Sequence, residues 1–266
     1  MKIGVIGVGE MGSMLVSSYY RFTKEPEHRL IASDSNPARL AGLSSACPAL
    51  RISDNVSLAS GSDVVFVCVP PGPYLDVARE IAPALTSEKL FVCITSGVEL
   101  DVLGGIVPCR IVKLIPNVAH AVGRGVALMT KGPRASDADI RFLTDFMRPM
   151  SRPLLIDEAE ARVAGNITGC GPAILASFCN LFVDMSARFA PSLERATLME
   201  MMREMFLATA QLCEQGATFD SIVANVSTMG GITETAVQTL AERLPDSLTV
   251  LIQRTMERER KLKSNG

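Results

Sequence analysis

The stretch MKIGVIGVGEMGS, residues Met1–Ser13, decides how the first half of the chain folds. Lys2–Ile6 is a short apolar run typical of a buried strand, and the pattern after it favours a helix. Gly7, Gly9 and Gly12 have the spacing of a dinucleotide-binding turn. Gly7 allows the tight bend, Gly9 lets the backbone approach a pyrophosphate, and Gly12 lets the helix pack closely on the strand. The alternative is a similar scaffold that binds nothing. We predict a nicotinamide cofactor on Gly7, Gly9, Glu10, Met11 and Gly12.

A second apolar run, Arg29–Ser33, ends at an acidic residue. Asp34 lies 22 residues beyond Gly12, close to the offset at which a carboxylate binds the ribose hydroxyls of a dinucleotide. A carboxylate repels a 2′-phosphate, so Asp34 and its neighbour Ser35 predict a preference for NADH over NADPH. The alternative, if Asp34 turns away, is a phosphate pocket made by Ser33, Ser35, Asn36 and Arg39.

Up to residue 156, short apolar runs alternate with helical patterns, which predicts a Rossmann-type, doubly wound, mostly parallel sheet as the first domain, residues 1–156. The predicted strands are 2–6, 30–33, 64–69, 90–94 and 110–114, with a later pair near 126–129 and 153–156. The predicted helices are 11–21, 37–46, 74–84 and 137–148. The sequence Pro-Pro-Gly-Pro at 70–73 predicts a rigid loop. Because ligands lie at the carboxyl ends of such strands, further cofactor contacts are predicted at Val69, Pro70, Ser96 and Asn117.

Residues 157–266 have a different pattern, with apolar residues three and four apart, and predict an all-helical second domain. Helices are expected over 173–189, 193–214 and 233–244. Their apolar faces exceed what so small a helical domain buries alone, so we predict a homodimer formed through this domain, with the active site near the interface. A methionine cluster fits a core or subunit interface better than a cofactor site. Its members are Met199, Met201, Met202 and Met205.

Composition excludes several classes of protein. The net charge is −2 with both signs scattered, which favours neither nucleic acid nor an anionic membrane as a partner. The seven cysteines lie in apolar contexts without a CxxC pair, so we predict reduced core residues and no metal site. We expect no export signal and no membrane-spanning run, and therefore a cytoplasmic protein with a small-molecule substrate.

The second half lacks the usual proton donors. Between Gly132 and Arg260 there is no Lys, His or Tyr, the groups through which alcohol and ketone dehydrogenases usually pass a proton. A β-hydroxyacid dehydrogenase, which uses a lysine in that half, is therefore disfavoured. An imine fits better, because its nitrogen is basic enough to arrive protonated. Lys113 and His120 in the first half remain as possible participants in catalysis.

Three further segments resemble the pyrroline-5-carboxylate reductases. Lys113-Leu-Ile-Pro-Asn117 with Gly123-x-Gly125 is similar to their Arg-x-Met-Pro-Asn…Gly-x-Gly stretch. Residues 168–173, TGCGPA, resemble their Ser-Gly-Ser-Gly-Pro-Ala, and residues 228–233, TMGGIT, resemble their Ser-Pro-Gly-Gly-(Thr/Ala)-Thr signature. With the glycine turn, the resemblance spans nearly the whole chain in the same order. It implies NAD(P)H-dependent reduction of 1-pyrroline-5-carboxylate to L-proline by a protein with a helical dimerisation domain.

The resemblance also implies the catalytic residues. Thr233 matches the family's final threonine, which contacts the imine nitrogen, and Thr228 keeps the hydroxyl of its serine. The N–H groups of Gly230 and Gly231 at a helix start suit a substrate carboxylate. The chain departs from the family at Lys113 for Arg, Pro70 for Lys, Val118-Ala119 for Thr-Pro and Met229 for Pro. Two alternatives stay open: a reductase of another small imine or carbonyl compound, and a non-catalytic nucleotide-binding regulatory protein.

Overall fold

The computed structural model describes residues 1–24 and 26–264 and contains one eight-stranded sheet, in the order β3-β2-β1-β4-β5-β6-β7-β8. The strands are β1 Lys2–Ile6, β2 Arg29–Ser33, β3 Arg51–Ile52, β4 Val64–Val67, β5 Leu90–Cys93, β6 Arg110–Ile115, β7 Val126–Lys131 and β8 Arg152–Leu155. Neighbouring strands are parallel except β6 and β7, which are antiparallel. The predicted fold class, a mostly parallel sheet followed by helices, is confirmed.

Helices connect the strands of the first half. They are α1 Glu10–Phe22, α2 Pro37–Ala46, α3 Asn55–Gly61, α4 Pro71–Ile81, α5 Leu100–Ile106 and α6 Asp137–Met147. The boundaries of α2 agree with the sequence prediction, because Asn36 accepts the N–H of Ala38 as an N-cap and Pro37 occupies the first helical position. α3 and α5 were not predicted, because they have only seven residues each and so show little helical periodicity.

The central strands β4 and β5 are buried on both faces of the sheet, as their apolar sequences require, whereas the edge strands β3 and β8 are largely exposed. In β4, Val64 and Phe66 belong to one hydrophobic cluster while Val65 and Val67 belong to another on the opposite face. None of these four side chains is more than 1% exposed. The apolar sequence of β4, in which no polar residue alternates with the apolar ones, is therefore that of a strand covered on both faces of the sheet.

One prediction about the chain after β4 was wrong. We expected a rigid loop at 70–73, but α4 begins at Pro71, directly after Pro70. A proline is acceptable in the first turn of a helix, because the N–H group that it lacks would have no partner within the helix there. Pro71 and Pro73 both lie in that turn, so the strand passes almost straight into the helix.

After Leu155, every element in the described part of the chain is helical. These helices are α7 Ala161–Thr168, α8 Gly171–Ala187, α9 Arg195–Glu214, α10 Phe219–Val226 and α11 Ile232–Ser264. The predicted helix over 233–244 was too short, because α11 continues through Pro245. A proline in a helix interior removes one hydrogen bond and bends the axis, but residues of good helix propensity on both sides carry the helix on.

The chain forms two compact units, which divide it differently from the predicted domains 1–156 and 157–266. Unit 1 comprises Met1–Pro172 together with the chain from Thr255 onward, and unit 2 is Ala173–Arg254. α7 stays with unit 1 because Asn166 is buried there and donates to the hydroxyl of Thr255 at 2.8 Å. The change from mixed to all-helical structure still falls after β8, as the sequence indicates.

Unit 2 leaves much apolar surface uncovered. α9 contains no buried residue, and large apolar side chains along α8 and α9 are about half exposed, including Leu181, Phe182, Met201 and Met205. Contrary to the expectation of no membrane-length run, the helical segment Glu158–Ala187 is long and apolar enough to cross a bilayer by length and composition. Core helices of water-soluble proteins pass the same test, so this single segment is weak support for a membrane span.

Candidate functional site

A cavity of about 800 Å³ opens in unit 1 at the carboxyl ends of the strands. It lies where the sheet order reverses, between β1 and β4, which is where ligands bind in open α/β sheets. The segments after β1, β2, β4 and β5 form its walls. Its size suits a cofactor or a drug-sized ligand.

The glycine turn after β1 has the geometry expected of a pyrophosphate cradle. Gly7 has φ +87° and donates its N–H to the carbonyl of Ser33 at 2.8 Å, which fixes the bend. A Cβ on Gly12 would lie 2.0 Å from the carbonyl oxygen of Gly7, so only glycine lets α1 pack this closely on the turn. A Cβ on Gly9 would have no neighbour nearer than 4.0 Å. The turn is open above Gly9, and the N-terminus of α1 faces that opening.

The cavity brings together nine of the eleven predicted cofactor residues, which are Gly7, Gly9, Glu10, Met11, Asp34, Ser35, Val69, Pro70 and Ser96. Gly12 lies beneath the turn and serves packing. Asn117 is 4% exposed, donates to the carbonyl of Val126 and accepts the N–H of Ala119. In the structure Asn117 therefore links the short 3₁₀ turn Val118–Val122 to β7 by hydrogen bonds and does not line the cavity.

Asp34 is fixed at the edge of the cavity. Its carboxylate accepts the N–H of Val8 at 2.8 Å and the N–H of Asn36 at 2.7 Å, one on each oxygen. The side chain is 5% exposed, and Nη1 of Arg39 lies 3.8 Å from Oδ1. The alternative in which Asp34 turns away is therefore not adopted. Each carboxylate oxygen keeps a lone pair for a ribose hydroxyl.

A chain of polar side chains beside Asp34 was not predicted from the sequence. Ser33 donates its hydroxyl to Oδ1 of Asn55 at 2.6 Å, and Nδ2 of Asn55 donates to Oε2 of Glu80 at 3.0 Å. Asn55 and Glu80 both line the cavity, from α3 and α4. No local motif marks them, because residues 25 apart meet only when the helices pack.

The wall under the turn is neutral. Burial raises the pKa of the Cys68 thiol, which lines the cavity, and raises the pKa of Cys93 on the next strand. The pKa of Tyr74, packed against Cys93, is also raised by burial. These groups remain protonated at neutral pH, so none of them acts as a base or as a thiolate nucleophile.

Lys113 and His120, the two basic residues left open by the sequence, are buried. Lys113 is 1% exposed, and its ammonium pairs with the Glu158 carboxylate. His120 is fully buried and donates Nδ1–H to the carbonyl of Arg124 at 2.9 Å. Burial lowers the pKa of His120, which keeps the ring neutral. Neither residue lines the cavity, and both have structural partners.

The predicted catalytic segment, residues 228–233, lies in unit 2. Gly230 has φ +71° and donates its N–H to Oε2 of Glu234 at 2.6 Å. Gly231 donates its N–H to the carbonyl of Thr228 at 2.9 Å. The chain's own carboxylate thus occupies the glycine N–H that was predicted to face a substrate carboxylate. In this structure the Gly230 N–H is therefore not vacant.

Thr233 does not cap α11. The helix begins at Ile232, so Thr233 is its second residue, and its hydroxyl makes no hydrogen bond within residues 1–24 and 26–264. The hypothesis that Thr233 is retained as a helix cap is therefore wrong. The Thr233 residue is half-buried.

Two family models match the chain. Residues 158–262 match the pyrroline-5-carboxylate reductase dimerisation family, and residues 2–97 match the coenzyme F420-dependent NADP oxidoreductase family. The first match begins just after the last strand, and the second covers the glycine turn and most of the cavity walls.

Full-length relatives are similar at low identity. ComE operon protein 4 of Bacillus subtilis is 25% identical, covering 96% of this chain and 94% of its own length. The pyrroline-5-carboxylate reductase of Corynebacterium melassecola is 25% identical, covering 90% of both chains. The crystal structure of a pyrroline carboxylate reductase from Plasmodium falciparum with NADP bound has a TM-score of 0.80 at 22% identity, covering 99% of this chain and 97% of that one. The similarity to this crystal structure establishes the fold.

Proposed function

We propose that this chain, as a member of the pyrroline-5-carboxylate reductase family that residues 158–262 match, reduces a cyclic imine with NAD(P)H and that its substrate is 1-pyrroline-5-carboxylate, giving L-proline. Membership makes the chain an NAD(P)H-dependent oxidoreductase. The proposed compartment is the cytoplasm, consistent with seven cysteines that are all free thiols.

The observation that carries the proposal is the absence of Lys, His and Tyr between Gly132 and Arg260. A carbonyl substrate needs a proton as the hydride arrives, whereas a protonated imine needs none at its nitrogen. The structure strengthens the argument, since Lys113 and His120 are buried with partners of their own. An electrophile that arrives already protonated suits this set of residues.

The first unit supplies the cofactor site. The cofactor, when bound, supplies the hydride, and the chain's residues hold it in place. The N–H groups of Gly9 and of the first residues of α1 would bind the pyrophosphate, and Asp34, held in place by the Val8 N–H, would bind the ribose hydroxyls. The neutral wall that includes Cys68 leaves the cavity beside the glycine turn without a thiolate. NADH is the proposed cofactor, because the backbone N–H groups of Val8 and Asn36 hold the Asp34 carboxylate at the edge of the cavity, where it would repel a 2′-phosphate.

The segment 228–233 is proposed as the substrate site. Thr233 orients the imine nitrogen through its hydroxyl, and the Gly230 N–H binds the substrate carboxylate. A substrate that uses this N–H has to replace the carboxylate of Glu234, so the site exchanges one carboxylate for another. Such an exchange loses little hydrogen-bond energy, because both partners are charged acceptors of the same donor.

A homodimer formed through unit 2 is predicted. The exposed apolar faces of α8 and α9 would otherwise remain in water, at a cost of about 25 cal/mol for each Å². Light scattering at micromolar concentration should give twice the chain mass of 28.5 kDa. Met201→Glu and Met205→Glu, on the exposed face of α9, should shift the protein towards monomer, whereas Val102→Glu, at an exposed apolar position of α5 in unit 1, should not. A wild-type protein that stays monomeric would contradict the dimer.

One relative supports a second candidate function. ComE operon protein 4 matches along 96% of this chain, and its name specifies no reductase. The Lys113–Glu158 pair and the self-occupied Gly230 N–H are compatible with a protein that binds the dinucleotide without turnover. In that case the chain would be a nucleotide-binding regulatory protein.

A cofactor-oxidation assay separates these proposals. Absorbance at 340 nm is followed with NADH and with NADPH, in the presence of 1-pyrroline-5-carboxylate, of cyclic imines without a carboxylate, or of no substrate. We expect turnover with 1-pyrroline-5-carboxylate and a higher kcat/KM with NADH. Faster turnover of an imine without a carboxylate would replace the proposed substrate, and a tenfold higher kcat/KM with NADPH would overturn the cofactor preference. Binding of NADH without oxidation by any imine would favour the regulatory function.

A further inference from the structure

A small cavity lies at the amino ends of the strands, opposite to the dinucleotide cavity. It has a volume of about 190 Å³ and is lined by residues from the end of α1, from the chain just before β2 and from the end of α6. Its described lining comprises four side chains with aromatic rings, two carboxylates, a threonine and a proline, and none of these residues lines the dinucleotide cavity. The cavity is therefore a separate candidate site, smaller than the usual site of a drug-sized ligand.

Two helix C-termini meet at this cavity. α1 ends at Phe22 and α6 ends at Met147, and lining residues follow both ends. The C-terminus of a helix carries a partial negative charge on its free carbonyl groups, which favours a cation nearby. The carboxylates of Glu27 and Asp145 add to this field, and the described lining residues include no Lys or Arg. The cavity therefore favours a positively charged ligand.

Glu27 is the carboxylate that a bound cation can pair with. Its side chain is 82% exposed, and its Oε1 lies 3.9 Å from Nε2 of His28. Burial lowers the pKa of His28, an effect that the amino group of Met1 increases and Glu27 opposes, so the imidazole is neutral at neutral pH. Asp145, by contrast, already pairs at 3.1 Å with Arg148, which lies outside the cavity lining.

The walls of the cavity are aromatic. The rings of Tyr19 and Phe146 stack with their centroids 5.0 Å apart. The ring of His28 lies 5.6 Å from that of Phe142 and 6.3 Å from that of Phe146, so the four rings form one array. A guanidinium is flat and weakly hydrated, and it stacks on aromatic rings.

Two buried polar atoms of the lining residues have no hydrogen-bond partner within residues 1–24 and 26–264. They are Oγ1 of Thr23 and Nδ1 of His28. Buried polar groups in folded proteins nearly always have a partner. We expect the neutral ring of His28 to carry its proton on Nε2, towards the Glu27 carboxylate, which makes Nδ1 an acceptor like the hydroxyl oxygen of Thr23. Both atoms suit a ligand that donates N–H groups.

We propose that this cavity binds a small molecule that carries a guanidinium group. The guanidinium stacks on the aromatic wall, pairs with Glu27 and donates to Thr23 and His28. Its five N–H groups in one plane serve these separate acceptors, whereas a quaternary ammonium has no N–H to donate. The inference does not depend on the proposed reaction, because it uses no residue of the dinucleotide cavity or of the segment 228–233.

Methylguanidinium is the probe, and methylurea is its neutral analogue of nearly the same shape. Each is titrated into ¹⁵N-labelled protein at constant ionic strength, and the amide chemical shifts give the Kd. We expect methylguanidinium to move the amide signals of His28 and Phe146 but not those of Gly9 and Ser35. Its Kd should be roughly tenfold lower than that of methylurea, which lacks the charge. Tetramethylammonium should bind about fivefold more weakly than methylguanidinium, because it donates no hydrogen bond.

Variants place the ligand in the cavity. Glu27→Gln keeps the shape and removes the charge, so it should raise the Kd of methylguanidinium roughly three- to fivefold. Phe142→Leu removes one ring of the half-buried array and should raise the Kd about fivefold. Asp76→Asn is the matched control, because the Asp76 side chain is also 82% exposed and lies on α4, outside the cavity lining. That variant should leave the Kd unchanged.

Several results would overturn the inference. Equal affinity for methylurea would show that the cavity does not select a cation, and equal or tighter binding of tetramethylammonium would rule out the guanidinium as the preferred group. Shifts centred on the dinucleotide cavity would place the probe elsewhere. The absence of saturable binding, or an unchanged Kd in both Glu27→Gln and Phe142→Leu, would equally remove the site.

Discussion

Gly12→Ala should abolish tight cofactor binding. The added Cβ would lie 2.0 Å from the carbonyl oxygen of Gly7 and 3.3 Å from Cβ of Cys68, where ordinary contacts are near 3.4–4 Å. The obstructing atom is backbone, so α1 and the glycine turn have to move apart. That movement displaces the N–H groups that face the pyrophosphate. Losing one or two charge-assisted hydrogen bonds, at about 1.5–3 kcal/mol each, weakens NADH binding roughly 100-fold.

A second consequence is structural. Overpacking at this position should lower the free energy of unfolding by about 1–3 kcal/mol, measured by urea denaturation. Gly105→Ala is the control, because Gly105 is exposed in α5 and a Cβ there would meet no atom within 4 Å. That variant should be as stable as the wild type or more so, by up to about 1 kcal/mol, with unchanged NADH affinity. If Gly12→Ala binds NADH within threefold of the wild type, the turn is not the pyrophosphate site.

The glycine turn was predictable because its constraints are local. Gly7, Gly9 and Gly12 act within one turn, and their spacing alone specifies strand, bend and helix. The buried strand β4 was predictable for a similar reason, since six apolar residues in a row have no solvent face to turn outward. Even so, its end was placed two residues late, at Val69 instead of Val67, and the prolines that follow were misinterpreted as a loop. Proline restricts a helix interior but not its first turn.

Residues brought together by packing were not predictable. Asn55 and Glu80 lie on different helices, and Lys113 meets Glu158 from 45 positions away. A single sequence shows each of them as an ordinary polar residue. The Glu234 contact is different, because a glutamate three residues into a helix often accepts an N–H at the helix start. The bond from the Gly230 N–H to Glu234 could therefore have been predicted from the sequence of residues 230–234. We predicted a substrate carboxylate as the partner of that N–H instead.

The helix start at Ile232 makes the role of Thr233 separable from stability. Replacing a threonine that caps a helix with alanine lowers the free energy of unfolding by about 1 kcal/mol. Thr233, however, is already inside α11, and its hydroxyl has no partner among the described residues. Thr233→Ala should therefore change the free energy of unfolding by no more than about 0.5 kcal/mol. An effect on turnover then reports on the reaction alone.

Thr233→Ala should lower kcat/KM for 1-pyrroline-5-carboxylate roughly 30- to 150-fold. That factor corresponds to about 2–3 kcal/mol, the loss of one oriented hydrogen bond to the imine in the transition state. A hydroxyl is too weak an acid to protonate the substrate outright, so the expected role is orientation. Thr233→Ser keeps the hydroxyl and should stay within about fivefold of the wild type.

Thr239→Ala is the matched control in the same helix. Its hydroxyl donates to the carbonyl of Thr235 at 2.8 Å on an exposed face, two turns from the helix start. That variant should retain wild-type kcat/KM, so a loss confined to Thr233→Ala identifies the hydroxyl at the second helical position. Cofactor affinity, measured without substrate, should be the same in all three variants. A Thr233→Ala enzyme that keeps more than half of the wild-type kcat/KM on its best imine substrate would remove Thr233 from the mechanism.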